Sequence, residues 1–465
     1  MDNGLHQDGG GTALATADTI QLTAAEIQEA PMPPPKGAPT PAPAGTTQRL
    51  LSLDAYRGLI MITLAANGFG LAGTALRQLK WDAAQLSLFL MITFKGFGAA
   101  SADPSLIPQH TMTWAHVRYQ FDHVEWTGCG YWDLIQPSFM FMVGVAMAYS
   151  YAKRQSLGDS YLQMLRHAMT RSLILILLGI FLIHEWSLMN VLTQIGLGYT
   201  FLFLLWGRSL RTQAIAAAAV LFGTWALYMV YPLFSSSAGI DLETGNPAVK
   251  VSAEWAQRNL TGIGAAWHKN ANIGHAIDVW LLNTILPLSK PFEFNPGGYQ
   301  TINFIPSLAT MLFGLMCGEL LRSDRKAGIK FLTLVVAGLA GLTIGWLLEW
   351  TGICPIVKRI WTPSWAIFST GWCCLILASL YGVIDVVGLR RWAFPLVVVG
   401  MNSIAIYCMG MILRPWARST WHGLIPGAFA AVGPIYDPML ECILTGLLFW
   451  LACHWMYRQK IFIRI

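Results

Sequence analysis

Past residue 48 the chain alternates long apolar runs with short charged intervals, and that rhythm predicts most of the architecture. A helix needs about 20 apolar residues to cross lipid. Runs near that length recur at 58–74, 132–151, 172–186, 191–207, 212–233, 301–321, 331–350, 364–386, 393–413 and 439–457, the third being short for a crossing. Inside a bilayer every backbone polar group must be satisfied within the protein, so all ten runs are read as helices. The expected fold class is therefore all-α, a polytopic transmembrane helical bundle of about ten spans. One more apolar stretch, 86–97, is short and interrupted by Lys95. It is read as a re-entrant or interfacial helix, because a full crossing there would invert every later assignment.

Composition agrees with a membrane class. The chain is 55% hydrophobic and only 12% charged, which excludes an ordinary soluble globule. Its 20 Trp and 14 Tyr suit a protein with two lipid–water boundaries to decorate. Residues 1–48 are rich in Ala, Gly, Thr and Pro, lack hydrophobic periodicity, and read as a disordered tail ahead of a transmembrane domain at 49–465. They show no basic segment followed by an apolar one, so they are not read as a cleaved signal peptide. Six of the eight cysteines lie in or beside apolar runs, leaving only Cys129 and Cys354 in loops, so no disulfide framework is expected.

The net charge of +6 forms no continuous basic stripe, and nucleic acid is not an expected partner. The cations instead mark topology. Arg49 and Arg57, Lys153 and Arg154, Arg208 and Arg211, Arg322 and Arg325, Arg390 and Arg391, and Arg458 and Lys460 fall at alternate ends of the ten runs. By the positive-inside rule that side is cytoplasmic and holds both termini, while 75–131 and 234–300 form external loops. Lys358 and Arg359 break the pattern, being external, and such an exception can mark an anionic ligand or partner.

Short motifs add to hydropathy: Ser52-Leu53-Asp54-Ala55-Tyr56-Arg57-Gly58, His123-Val124-Glu125-Trp126-Thr127-Gly128 followed by Asp133-Leu134-Ile135-Gln136-Pro137, Val191-Leu192-Thr193-Gln194-Ile195-Gly196, Thr301-Ile302-Asn303, and Gly400-Met401-Asn402-Ser403. In this order, from about residue 49 to the C-terminus, they resemble the heparan-alpha-glucosaminide N-acetyltransferase family and its bacterial relatives. Two departures bear on the acceptor: the stretch from Asn67 to His123 is longer than in the animal enzyme, and that enzyme's lumenal N-terminal domain has no counterpart here. The resemblance implies acetyl-CoA as donor, a saccharide acceptor such as a glucosamine-containing glycan, and a bacterial inner membrane as the location.

His123 matches the family's active-site histidine. A neutral imidazole can accept an acetyl group or take a proton from an attacking amine. Asp133, ten residues on, can orient that ring, although a helix cap is an equal reading. Glu125 can do similar work, and with Trp126 and Trp365 it is a candidate acceptor contact. Arg57, one helical turn from Asp54, can meet a donor phosphate or simply close an ion pair. Asn303, Asn402 and Ser403 are candidate donor contacts, with interhelical hydrogen bonding as the plainer alternative. No metal is expected, because His123-Val124-Glu125 lacks a following pair of cysteine ligands.

Two functions compete. One is an acyl-CoA-dependent transmembrane N- or O-acyltransferase; the other is a transporter or flippase without covalent chemistry. No internal repeat or matched pair of broken helices is visible in the sequence, which weighs against the second. Membrane lipid is the surrounding partner in both, and the sequence leaves homo-oligomer formation open.

Overall fold

A computed structural model describes residues 50–93, 109–231, 252–254, 265–286, 288 and 290–463. The predicted tail at 1–48 and parts of both predicted external loops lie outside the described residues. Among those described there is no strand, only an isolated antiparallel bridge between Thr127 and Val357. The protein is an all-α polytopic helical bundle. Among the described residues seven helices are long and apolar enough to cross a membrane, and two bent pairs raise the number to nine.

The helices are α1 (Leu51–Ala65), α2 (Leu71–Thr93), α3 (Gln109–Phe121), α4 (Ile135–Ser156), α5 (Tyr161–Ile183), α6 (Val191–Leu205), α7 (Leu210–Val230), α8 (Ile273–Ile285), α9 (Phe304–Arg322), α10 (Ala327–Trp350), α11 (Pro363–Leu380), α12 (Phe394–Met401), α13 (Ser403–Ile412), α14 (Arg414–Leu424), α15 (Pro426–Val432) and α16 (Asp437–Arg458). The short run at 172–186 belongs to a full-length helix. It starts earlier than hydropathy shows, at a capping box in which Ser160 accepts from the Gln163 amide and Gln163 reaches back to the Ser160 amide.

Three expected spans differ. The run 58–74 is not one helix: α1 ends at Ala65, Gly68 and Phe69 adopt left-handed backbone, and the chain bends by 51° into α2. The run 393–413 breaks at Asn402 with a 69° bend. The run 191–207 yields α6, only 15 residues long. Nor do residues 86–93 form a separate element; they end α2, while 94–97 lie outside the described residues.

Two close crossings organise the bundle. A Cβ on Gly144 would lie 1.9 Å from the Met311 carbonyl oxygen, and one on Gly314 would lie 2.0 Å from that of Phe141. α4 and α9 therefore run parallel with backbones in contact, as small residues permit in a medium without a hydrophobic drive between helices. Gly58 against Leu396 and Gly400 against Asp54 do the same for α1 and α12, which run antiparallel. We expect Gly144→Leu to lower the thermal midpoint in detergent sharply, since overpacking alone costs about 1–3 kcal/mol and here the obstacle is backbone. An unchanged midpoint would contradict the crossing.

The α4–α9 pair also reveals an internal relation that the sequence hides. Each helix follows a 3-10 turn, Tyr131–Leu134 or Thr301–Asn303, and each carries Pro-Ser in its first turn, Pro137-Ser138 or Pro306-Ser307. Each is followed by an outer helix, α5 or α10, of which only 22% or 17% of the apolar window is buried, against 67% for α4 and α9. A Glu-Trp pair lies near the end of each outer helix, Glu185-Trp186 just past α5 and Glu349-Trp350 as the last two residues of α10, and each outer helix packs on the next helix, α6 or α11. α6 then lies on α9, and α11 on α4. No repeat is visible in the sequence, but the structure shows two three-helix units, α4–α5–α6 and α9–α10–α11, with the same order of inner, outer and returning helix.

Candidate active site

His123 lies just past α3, in the segment leading to the 3-10 turn that opens α4. Gly130 makes that path possible, because a Cβ there would sit 2.5 Å from the Tyr119 carbonyl oxygen. Asp133, on the turn itself, is 1% exposed and receives four donors. Its Oδ2 accepts the amides of Val124 and Gly130, both at 3.2 Å. Its Oδ1 lies 2.7 Å from His123 Nδ1 and 3.3 Å from Lys358 Nζ. One oxygen of Asp133 thus closes the turn, as a helix cap does, and the other meets the imidazole.

Lys358 arrives from far along the chain, and the loop before α11 fixes it. Thr362 donates to the Pro355 carbonyl, accepts from the Val357 amide and caps α11 through the Trp365 amide. The Thr127–Val357 bridge and a 3.0 Å bond from the Gly128 amide to the Ile356 carbonyl join this loop to the His123 segment. Arg359 adds cross-links to the carbonyls of Gly297 (2.8 Å) and Val124 (3.3 Å). The two cations that break the charge rule are thus both held: Lys358 by Asp133, and Arg359 by backbone oxygens. The Lys358 side chain is 5% exposed.

With Asp133 as a carboxylate accepting at 2.7 Å, Nδ1 of His123 carries the proton, and the Nε2 lone pair remains for chemistry. Among the described residues nothing hydrogen-bonds Nε2. Burial pushes the imidazole below its ordinary pKa; the hydrogen bond to Asp133 opposes this, and the Lys358 charge adds to the lowering. The ring is therefore neutral at neutral pH, the form a base or nucleophile needs.

His123, Trp132 and Lys358 share the wall of a cavity of about 440 Å³. Gln136, Glu185, Asn190, Asn295 and Tyr299 bring polar atoms to it, and Met61, Phe139 and Tyr407 line its apolar side. Phe139 and Tyr407 stack with centroids 6.4 Å apart, joining α4 to α13. Gln194, fully buried, receives a 3.1 Å bond from Gln136 and donates to the Met189 carbonyl, so the Thr193-Gln194 motif supports the cavity wall from behind.

The other predicted contacts are not brought together there. Trp126 and Trp365 are 0% exposed. Trp126 packs with Tyr228, Trp267 and Val357, and Trp365 meets Trp361 edge to face. Neither has a face left on which a sugar could stack, so their reading as acceptor contacts is corrected: they fill the core beneath the site. Trp132 is the exposed-edge aromatic beside His123, with ring centroids 6.3 Å apart. Glu125 is exposed and outside the cavity lining. Arg57 is 3.4 Å from Asp54 on α1. Asn402 sits at the α12–α13 break, not within a helix, and both ends of its amide hold the C-terminal segment at Ile461 and Ile463. Ser403 begins α13 beside it. Asn303 donates to the Arg359 carbonyl at 2.7 Å and faces a separate groove between α7 and α9.

All eight cysteines are free thiols. Among the described residues, His422, Asp437 and Glu441 form one group of side chains of metal-ligand type; it shares no residue with the lining of this cavity, and its carboxylates are ion-paired with Arg77 and Arg418.

No protein-family model matches the chain. It is similar to heparan-alpha-glucosaminide N-acetyltransferase of Mus musculus, 23% identical over 383 residues, which is 75% of this chain and 57% of the mouse protein. Its match to the Homo sapiens protein of the same name is 23% identical over 385 residues, 75% of this chain and 56% of the relative. The chain thus spans just over half the length of these curated relatives, and its likeness to them is distant.

Proposed function

We propose that this integral membrane protein is an acyltransferase, moving an acetyl group from acetyl-CoA to the amine or hydroxyl of a saccharide such as a glucosamine-containing glycan. The observation that carries the reading is the arrangement at the cavity wall: a neutral imidazole held at Nδ1 by a buried carboxylate, with a buried ammonium beside both. The distant likeness to acetyltransferases supports the same reaction class.

In direct transfer, His123 Nε2 takes the proton of the attacking group, the thioester carbon–sulfur bond breaks, and the CoA sulfur leaves as the new bond forms. In the two-step route, Nε2 itself receives the acetyl group and passes it on. The amide-rich lining of Gln136, Asn190 and Asn295 suits sugar hydroxyls. The charge pattern supports a cytoplasmic origin for both termini and an external position for the cavity, so the donor approaches through the bundle past the Phe139–Tyr407 stack. Purified protein given labelled acetyl-CoA and a panel of glucosamine-type acceptors is expected to yield acetylated product. Absence of product with every acceptor would overturn the reading.

Lys358 acts here as a positioning residue: its charge balances Asp133 and helps keep His123 unprotonated. Activity through neutral His123 rises with pH as the imidazole loses its proton. Removing a cation that lowers its pKa must therefore move the acid limb of the kcat/KM profile to higher pH. We expect that shift in Lys358→Met and its absence in Lys358→Arg; a limb that stays in place in both would contradict the role.

The doubled three-helix unit favours the transporter as a second reading, since parallel repeats are common in transport proteins. Saturable sugar movement without CoA release would support it.

A further inference from the structure

A second cavity, of about 370 Å³, opens between α7 and α9. Ala219, Gly223 and Leu227 form one side, and Ile305 and Pro306 the other. Both helices are long and apolar enough to span the bilayer, and Leu227 and Ile305 at the rim are 41% and 37% exposed. The medium at this mouth is therefore hydrocarbon.

The far end holds one unsatisfied polar atom. Asn303 is 1% exposed, and its amide orientation is fixed because only the NH2 end can donate to the Arg359 carbonyl. That leaves Oδ1 buried with no hydrogen-bond partner, an arrangement that costs free energy until a donor arrives. Neighbouring hydroxyl protons are already used, so neither can reach Oδ1: Thr224 donates to the Val220 carbonyl, and Tyr228 donates to Gln300. A water here would find no free hydroxyl proton to accept from these two side chains and would face apolar groups of Ala219, Leu227, Ile305 and Pro306 on its other sides. A donor carried on an apolar body suits both the oxygen and this lining. Asn303 also sits at the first turn of the Thr301–Arg322 span, the depth at which lipid chains join their heads.

We propose that the α7–α9 cavity binds a membrane lipid carrying a hydroxyl or amide N–H where head meets chain, the donor on Asn303 Oδ1 and the chain over Gly223. Gly223 is exposed on the α7 side of the cavity, and a Cβ added there meets nothing within 4 Å, so there is open space for a chain beside it that a larger side chain would occupy. This site is independent of the acyl transfer chemistry.

The test uses the full chain in nanodiscs with three photoreactive lipids of matched chains: diacylglycerol and ceramide, which carry donors, and phosphatidylcholine, which has none. Diacylglycerol or ceramide is expected to label peptides covering 219–228 or 302–306 several-fold above phosphatidylcholine. Gly223→Phe is expected to bring that labelling down to the phosphatidylcholine level. Equal labelling by all three lipids in the wild-type protein would overturn the proposal, whatever the variant's folding; so would donor-lipid labelling that persists undiminished in Gly223→Phe.

Discussion

Replacing His123 with alanine is expected to reduce acetyl transfer by roughly 10³-fold or more, the upper part of the range for losing a positioned acid–base group, while leaving the fold intact. The second half matters as much as the first. The His123 side chain is 37% exposed and outside the main apolar clusters, and the Asp133–Lys358 pair remains to neutralise itself in its absence. A matched thermal midpoint in detergent, with rates of CoA thiol release in the same preparation, separates lost chemistry from lost structure. Wild-type release by a folded variant would remove His123 from the reaction.

Asp133→Asn is expected to damage both rate and stability. The carboxylate satisfies His123, Lys358 and two backbone amides at once. An asparagine offers one oxygen and presents an NH2 group that cannot accept. If the NH2 faces His123, it favours the wrong tautomer, with Nε2 protonated, and rate falls roughly 10²- to 10⁴-fold. In either orientation Lys358 loses its counter-charge, and an uncompensated buried charge costs about 3–5 kcal/mol. The measurement is transfer rate per folded molecule together with the thermal midpoint. A variant as stable as wild type with an unchanged rate would show that the short contact to His123 has no consequence.

These expectations rest on contacts that were unequally visible in the sequence. His123 and Asp133 are ten residues apart on one turn-and-helix entrance, and the chemistry of such a pair is local enough to read. Lys358 is 235 positions from His123, and only its breach of the charge rule signalled it. That signal pointed to an anionic ligand; the anion is the protein's own Asp133. The aromatic residues misled for a related reason. Hydropathy places Trp126 and Trp365 at the membrane boundary, but Trp126 is buried in a cluster with Tyr228 and Trp267, and Trp365, in the first turn of α11, is buried in the main core.

Helix runs were legible wherever composition alone decides, as in α7, α9, α10 and α16. The bends were not, because a left-handed turn at Gly68 and Phe69 and a break at Asn402 leave an apolar run uninterrupted in sequence. The amide of Asn402 read as an intramembrane polar group in need of a partner, and it has one in the C-terminal segment, a contact no spacing rule anticipates.

The central claim joins chemistry to sidedness, and sealed proteoliposomes address both together. With a glucosamine-type acceptor trapped inside and acetyl-CoA supplied outside, CoA should appear outside in step with acetylated acceptor inside, one for one, and both should vanish with His123→Ala. Acceptor leaving the vesicles unmodified while acetyl-CoA stays intact would contradict the account.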